Sequence, residues 1–257
     1  SISLPLGEDS LYVLDREEFD KCLAEKALEA GSEIVTRCKA RKILFNGDSV
    51  EVIVSSPTLS GGIKSKVVVE ADGVKASIRR VLNLNRPSPA IPAVQYVLTG
   101  VELEREDLCN IYVGGEIAPG AYAWLFSCGN GRVKVGLGVR AKGVRALERL
   151  EWFIKKCPLT REIFKEAKPI ALQSGAVPIS GLVKPLTFKR CVTVGDAAGQ
   201  VNPLTGGGIR CGIECALIAG EAIANSLSTG EITLLREYER RVLKTIGEIF
   251  SSLITIR

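Results

Sequence analysis

Between Val194 and Ile209 the chain reads Val-Gly-Asp-Ala-Ala-Gly-Gln-Val-Asn-Pro-Leu-Thr-Gly-Gly-Gly-Ile. The carboxylate of Asp196 follows a short apolar run, and Gly206, Gly207 and Gly208 open a long helical pattern. A carboxylate at the carboxyl end of a buried strand can accept hydrogen bonds from sugar hydroxyls. The glycines let backbone N–H groups approach an anion at a helix N-terminus. That is the chemistry of holding a nucleotide. The plainer alternative is a glycine-rich turn in which Asp196 only caps a helix, since glycine runs alone are weak signals.

A second constellation is Tyr122, Trp124 and Phe126. In a strand these positions share one face and make an apolar wall. Ordinary sheet core would look the same. As a binding surface the wall would suit a ligand with little to hydrogen-bond, held by buried area at roughly 25 cal/mol per Å². A polyisoprenoid chain, a quinone tail and an aromatic ring all satisfy that description. A third element is Ala71-Asp72-Gly73, followed by Ser77 and Arg79. Here Asp72 reads first as a turn and helix-capping residue.

Composition narrows the chemistry further. The 257 residues contain no histidine, which removes Ser-His-Asp and Cys-His nucleophile pairs, histidine acid–base catalysis and every His-containing zinc site. The expected chemistry is therefore a cofactor's. Eight cysteines are irregularly spaced with no C-x-x-C pair, and free thiols are the default. Cys211 and Cys215 share a helical face but read as apolar packing, with no second ligand pair in view, so no metal site is expected. Thirty-four Lys and Arg against twenty-nine Asp and Glu give a net charge of +5 without a dense basic block. That points away from nucleic acid and toward phosphate-bearing ligands or an anionic membrane surface. No apolar run reaches the roughly 18 residues of a membrane span, and the expected location is the cytoplasm or its face of a membrane.

The elements that must position these residues follow from periodicity. Asp15 caps an amphipathic helix carrying Phe19, Leu23, Ala27 and Ala30, stopped by Gly31. Strands are expected at Glu33–Thr36, Ala40–Phe45 and Ser49–Ser55, the last two joined by the hairpin turn Asn46-Gly47-Asp48. A flexible tip spans Pro57 to Gly62. A buried strand from Lys66 to Asp72 then leads into a helix over Lys75–Leu82. Three prolines between Asn83 and Pro92 mark a crossing between domains. Antiparallel strands follow to about Arg140, then a helix over Leu147–Lys156, further strand and loop to Lys189, and the strand before Gly195. The helix from Gly208 to Leu227 repeats small residues at Gly208, Gly212, Ala216, Gly220 and Ala224, a stripe that would let it lie close to a neighbour. A final amphipathic helix covers about Thr233–Ser252.

These motifs, in this order, carry a resemblance. Gly195-Asp196-Ala197-Ala198-Gly199, continued by Asn202-Pro203 and Gly206-Gly207-Gly208-Ile209, resembles the second FAD-binding motif of the para-hydroxybenzoate hydroxylase-like flavoproteins. Ala71-Asp72-Gly73 with Ser77 and Arg79 looks like their Asp-Gly motif, and Asp15-Arg16 like the arginine that contacts their flavin cofactor. Tyr122-x-Trp124-x-Phe126-Ser127, then the eight residues from Cys128 to Val135, then Gly136-x-Gly138 is similar to the substrate-cavity signature of the geranylgeranyl reductases, with Ser127 where that family usually has proline.

The resemblance implies an α/β fold with an α+β inserted domain. A Rossmann-like FAD domain of the hydroxylase type would occupy residues 1–85 and 190–230, an antiparallel substrate domain 86–189, and a C-terminal helix 231–257. It implies that Asp196 meets the ribityl or pyrophosphate part of FAD. Gly195, Asn202, Gly206 and Gly207 would also bind the cofactor, and Gly208 and Ile209 would offer N–H groups to the flavin end. Arg16 and Asp72 would lie against the cofactor, and the backbone near Ala40 would meet the adenine. Tyr122, Trp124, Phe126, Gly136 and Gly138 would line the substrate cavity.

The implied activity is saturation of C=C bonds in geranylgeranyl chains of archaeal-type ether lipids. The partners would be an isoprenoid lipid, a membrane surface touched peripherally, and an electron donor such as ferredoxin or NAD(P)H. Alternatives on the same scaffold are a quinone-linked electron-transfer enzyme and an aromatic-ring monooxygenase or halogenase. A non-catalytic prenyl-lipid-binding module is the alternative of another class. No residue is assigned as catalytic, since none of the eight cysteines matches the family's reactive-cysteine motif. The G-x-G-x-x-G strand–turn–helix unit of roughly 30 residues is not in the sequence, nor is any methionine. Both predict a fragment or processed chain that binds FAD poorly alone.

Overall fold

The computed structural model describes residues 12–57 and 60–256. In chain order the elements are α1 (Arg16–Glu29), β1 (Lys39–Asn46), β2 (Ser49–Ser55), β3 (Ser60–Ser65), β4 (Val68–Glu70), α2 (Ser77–Val81), β5 (Ala90–Thr99), β6 (Cys109–Val113), β7 (Tyr122–Ser127), β8 (Arg132–Gly138), α3 (Ala146–Lys155), β9 (Lys168–Pro178), β10 (Thr187–Phe188), β11 (Cys191–Thr193), α4 (Ile209–Thr229), α5 (Arg236–Val242) and α6 (Glu248–Ile256). They form two compact units. One holds the described residues up to Ile34 together with Pro92–Gly175, and the other holds Val35–Ile91 and the residues from Ala176 on. The chain passes between them after Ile34, within β5 and again within β9.

In the first unit the sheet order is β6-β7-β8-β5-β9, with β6, β7, β8 and β5 joined antiparallel. Gly129, Asn130 and Gly131 all adopt positive φ to turn β7 back into β8. Period-two alternation then sorts the side chains. Leu98, Ala123, Leu125, Val133, Val135 and Leu137 are buried on one face, where Leu150, Phe153 and Ile154 of α3 join the same core. Helical spacing puts those α3 residues on one stripe, and the helix ends before Pro158. The other face carries Tyr122, Trp124 and Phe126. Asp15 caps α1 by accepting from the N–H groups of Glu17 and Glu18 at 3.0 and 3.3 Å. No residue of α1 is buried.

In the second unit β1, β2 and β3 make an antiparallel meander, turned at Gly47 with Asn46 opposite Ser49. A separate sheet has the order β10-β11-β4, in which β11 and β4 are parallel. The helices from α4 onward supply its core: Cys215, Ile218, Ala219 and Ala222 of α4 pack with Leu235, Tyr238 and Val242 and with Val192 and Val194. Between α5 and α6 the helix continues through a π turn at Leu243–Gly247.

Several expectations need correction. Glu33–Thr36 is not a strand; Ile34 and Val35 have β-type side chains but pair with no strand among the described residues, and pairing is what makes a strand. Ser60 to Gly62, expected in a flexible tip, belong to β3 and pair with β2, while Thr58 and Leu59 lie outside the described residues, as do residues 1–11 of the first expected domain. The Lys66–Asp72 strand shrinks to Val68–Glu70, with Val69 exposed. The helix expected over Lys75–Leu82 splits into a 3-10 turn and α2, broken at Ala76 with φ +42°. The terminal helix begins at Arg236 and runs to Ile256. The small-residue stripe on α4 largely faces away from the core, with Ala216, Gly220 and Ala224 exposed.

Candidate functional site

The parallel pairing of β11 with β4 sets Thr193 opposite Glu70, so Asp72 and Asp196 both lie just beyond the carboxyl ends of adjacent strands. Gly195–Ala198 form a 3-10 turn. Its entry is clamped from below. The Gly195 N–H donates to Gln200 Oε1 at 2.6 Å, Gln200 Nε2 donates to the Tyr238 hydroxyl at 2.6 Å, and that hydroxyl donates to the Thr193 carbonyl at 2.8 Å. Gln200 and Tyr238 are fully buried. In the loop beyond, Asn202 Oδ1 accepts from the N–H groups of Leu204 and Thr205 at 3.0 and 3.1 Å. The Asn202 backbone pairs with Gly206 and Gly207, closing the turn that delivers the chain to α4.

At Gly208 a Cβ would stand 3.2 Å from Asp196 Oδ1 and 3.2 Å from Val201 Cγ2. The missing side chain therefore lets the carboxylate lie directly beside the start of α4. The N-cap of this 21-residue helix is Gly208, which has no side chain of its own to cap it, and no acidic residue sits in its first turn. Its leading N–H groups, from Ile209 onward, and its dipole are disposed to receive an anion. Asp196 beside them supplies hydroxyl acceptors. Together these features fit a dinucleotide such as FAD.

Asp72 plays the structural part expected of it. Its Oδ2 accepts from the N–H of Ser77, the first residue of α2, at 2.7 Å. It also borders a cavity of about 440 Å³, whose lining includes Ala40, Arg41, Lys42, Glu70 and Lys75. The structure thus brings Ala40 and Asp72 to one cavity. Beneath them Arg79 is fully buried. Its guanidinium donates to the carbonyls of Asn85, Pro185 (2.7 Å) and Lys184 (3.2 Å), while its N–H donates to Glu70 Oε1 at 2.9 Å. Thr193 Oγ1 donates to Glu70 Oε2 at 3.1 Å. Burial pushes the Glu70 carboxyl above its ordinary range despite these hydrogen bonds.

Arg16 lies in the first unit, at the start of α1, where it is exposed and pairs with Asp20 at 3.1 Å.

Tyr122, Trp124 and Phe126 lie half-buried on one face of β7, with buried Ala123 and Leu125 on the other. The Tyr122 and Trp124 rings meet edge to face, 5.9 Å between centroids. Gly136 and Gly138, two apart on β8, fall on the same face; Gly136 pairs with Trp124. The exposed Ile111 and Val113 of β6 extend the apolar surface.

Sequence reasoning named Arg79 but not its role, and missed Glu70, Gln200, Tyr238 and Gln95. A carboxylate inside the apolar run Val67-Val68-Val69-Glu70 was a visible signal, because a charge in a buried strand requires partners. For Gln200 and Tyr238 the pattern held no such signal.

Known proteins resemble this chain along most of its length. Residues 90–177 match the model of the geranylgeranyl reductase catalytic domain. The digeranylgeranylglycerophospholipid reductase of Methanocaldococcus jannaschii is 39% identical over 235 residues, covering 90% of this chain and 60% of that protein. Reductase 2 of that name from Methanothermobacter thermautotrophicus is 37% identical, covering 92% and 62%. A crystal structure of a geranylgeranyl bacteriochlorophyll reductase-like protein from Thermoplasma acidophilum superposes with a TM-score of 0.84 at 27% identity, covering 94% of this chain and 62% of that one. A flavin-dependent brominase, with a TM-score of 0.76 at 19% identity over 91% of this chain and 62% of its own, shares the fold. The chain spans about three fifths of the length of the curated relatives it matches. Along nine tenths of its length the chain resembles the digeranylgeranylglycerophospholipid reductase of Methanocaldococcus jannaschii.

Proposed function

We propose that this chain forms the substrate-binding part and one part of the FAD-binding site of a reductase that saturates C=C bonds in geranylgeranyl chains of ether phospholipids. The observation that carries this reading is the aromatic face of β7. It lies in the segment that matches the geranylgeranyl reductase catalytic domain, and it offers an apolar surface to a ligand that must be held by area. FAD, when bound, supplies the hydride. In this reading Asp196 accepts from its sugar or ribityl hydroxyls, and the start of α4 at Gly208 and Ile209 receives its negative charge. Gly195, Asn202, Gly206 and Gly207 hold that loop in shape, and Ala40 and Asp72 border the adenine end. Arg16 is a further candidate contact to the cofactor. Tyr122, Trp124 and Phe126, with Gly136 and Gly138 beneath, orient the chain and exclude water from it.

The lipid's residence in a bilayer, the net charge of +5 and the absence of a membrane-spanning helix among the described residues support peripheral contact with a membrane surface. Ferredoxin or NAD(P)H would supply electrons. The test is equilibrium binding to the protein in its full natural length. Asp196→Ala should weaken FAD binding about tenfold or more while leaving geranylgeraniol binding unchanged, and Trp124→Ala should do the reverse. FAD affinity indifferent to Asp196→Ala would overturn the cofactor assignment.

A further inference from the structure

We infer that Gln95 is a positioning residue that fixes the plane of Trp124, and that Gln173 on β9 fixes Gln95 in turn. The inference rests on the proposed function only for what lies against the indole. Register sets four residues in a row across the sheet of the first unit: Ile111 on β6, Trp124 on β7, Gly136 on β8 and Gln95 on β5. A strand side chain ordinarily stands away from its sheet. The Trp124 indole instead lies down across the neighbouring strand, where a Cβ at Gly136 would stand 2.4 Å from its Cζ2 and 2.6 Å from its Cε2. The glycine makes room but does not choose the plane of the ring.

The plane is chosen one strand further on, where indole Nε1 donates to Gln95 Oε1 at 2.8 Å. The polarity of the chain is forced from that end. An indole N–H can only donate, so Gln95 must turn its oxygen toward Trp124 and its amide N–H₂ away. There Gln95 Nε2 donates to Gln173 Oε1 at 2.7 Å. Two amides thus join β7, β5 and β9 across this face. A flat indole forms the floor of a slot for a slender chain, whereas a released indole rises into the space the chain would use. Loss of Gln95 should weaken binding of an isoprenoid lipid and leave turnover of bound lipid unchanged.

The chain has two tryptophans, so in a Trp152→Phe background fluorescence reports Trp124 alone. Gln95→Leu should shift the Trp124 emission maximum and raise its quenching by acrylamide. Gln95→Glu, which keeps the acceptor oxygen, should restore both, and Gln173→Leu should move both in the direction of Gln95→Leu by less. With digeranylgeranylglycerophospholipid as substrate, Gln95→Leu should raise KM about tenfold at unchanged kcat, the loss of one hydrogen bond of roughly 1.4 kcal/mol. Unchanged emission and quenching in Gln95→Leu would overturn the proposal, as would the same result in Gln173→Leu should Gln95→Leu fail to fold. Altered fluorescence with unaltered KM would uphold the positioning of Trp124 and refute the lipid-binding role of this face.

Discussion

Tyr238→Phe removes one oxygen from the buried chain that clamps the Gly195 turn. The hydroxyl accepts from Gln200 Nε2 at 2.6 Å and donates to the Thr193 carbonyl at 2.8 Å, and the side chain is fully buried. Phenylalanine keeps the ring's packing against Val192, Val194 and α4, so the change isolates polar satisfaction. Two buried groups lose a partner, and each such loss costs about 1–3 kcal/mol. Partial relaxation of the Gln200 amide brings the sum to about 2–4 kcal/mol, a large fraction of the 5–15 kcal/mol typical of a folded domain. At roughly 2–4 °C per kcal/mol for a chain of this size, the midpoint of thermal unfolding should fall by about 5–15 °C. Far-UV circular dichroism with heat and with urea measures both quantities. FAD affinity should fall as well, because Gln200 is what holds the Gly195 N–H. A stability change below about 0.5 kcal/mol, the level of an ordinary surface substitution, would refute the claim that this chain carries the turn.

Three further outcomes follow from the same core. Arg79→Leu leaves the carbonyls of Asn85, Lys184 and Pro185 without their buried donor and should cost about 3–5 kcal/mol in urea unfolding. Because burial raises the Glu70 carboxyl above its ordinary value in the folded state, the native protein binds more protons than the unfolded chain between the two values. The Glu70 contribution to stability should therefore be full below the unfolded value and be lost as pH rises through the folded one; Glu70→Gln should flatten that part of the stability–pH curve. Burial pushes the Cys191 and Cys215 thiols up to about 12, while Cys22 is exposed. Brief iodoacetamide treatment followed by peptide mass mapping should find Cys22 modified and Cys191 and Cys215 untouched until denaturant is added.

What was legible in the sequence was whatever depends on near neighbours along the chain. Asp15 caps α1 through residues two and three places away, Asn46-Gly47-Asp48 turns a hairpin, and alternation alone sorts Tyr122, Trp124 and Phe126 from Ala123 and Leu125. The glycines of the 194–209 loop likewise announced a turn before a helix. What escaped depends on distant partners. Glu70 meets Thr193 across 123 positions and Gln200 meets Tyr238 across 38, and no local periodicity encodes either. Glu33–Thr36 shows the converse, since its residues favour a strand while they pair with none among the described residues. The stripe on α4 was legible as a pattern. Its use was not: among the described residues a Cβ at Gly208 would crowd Asp196 at 3.2 Å, whereas one at Gly212 would make only an ordinary contact 4.0 Å from the Gly195 Cα and one at Gly220 would meet nothing within 4 Å.

The proposed function is reduction of an isoprenoid chain by the FAD-bound protein. The most direct measurement uses the protein in its full natural length, loaded with FAD, reduced anaerobically and given digeranylgeranylglycerophospholipid, with the lipid then weighed by mass spectrometry. The account predicts a mass gain in pairs of hydrogens that is abolished by Asp196→Ala and strongly reduced by Trp124→Ala. A flavin-loaded, reducible protein that leaves the lipid mass unchanged would contradict it, and would move the quinone-linked reading ahead of alkene reduction.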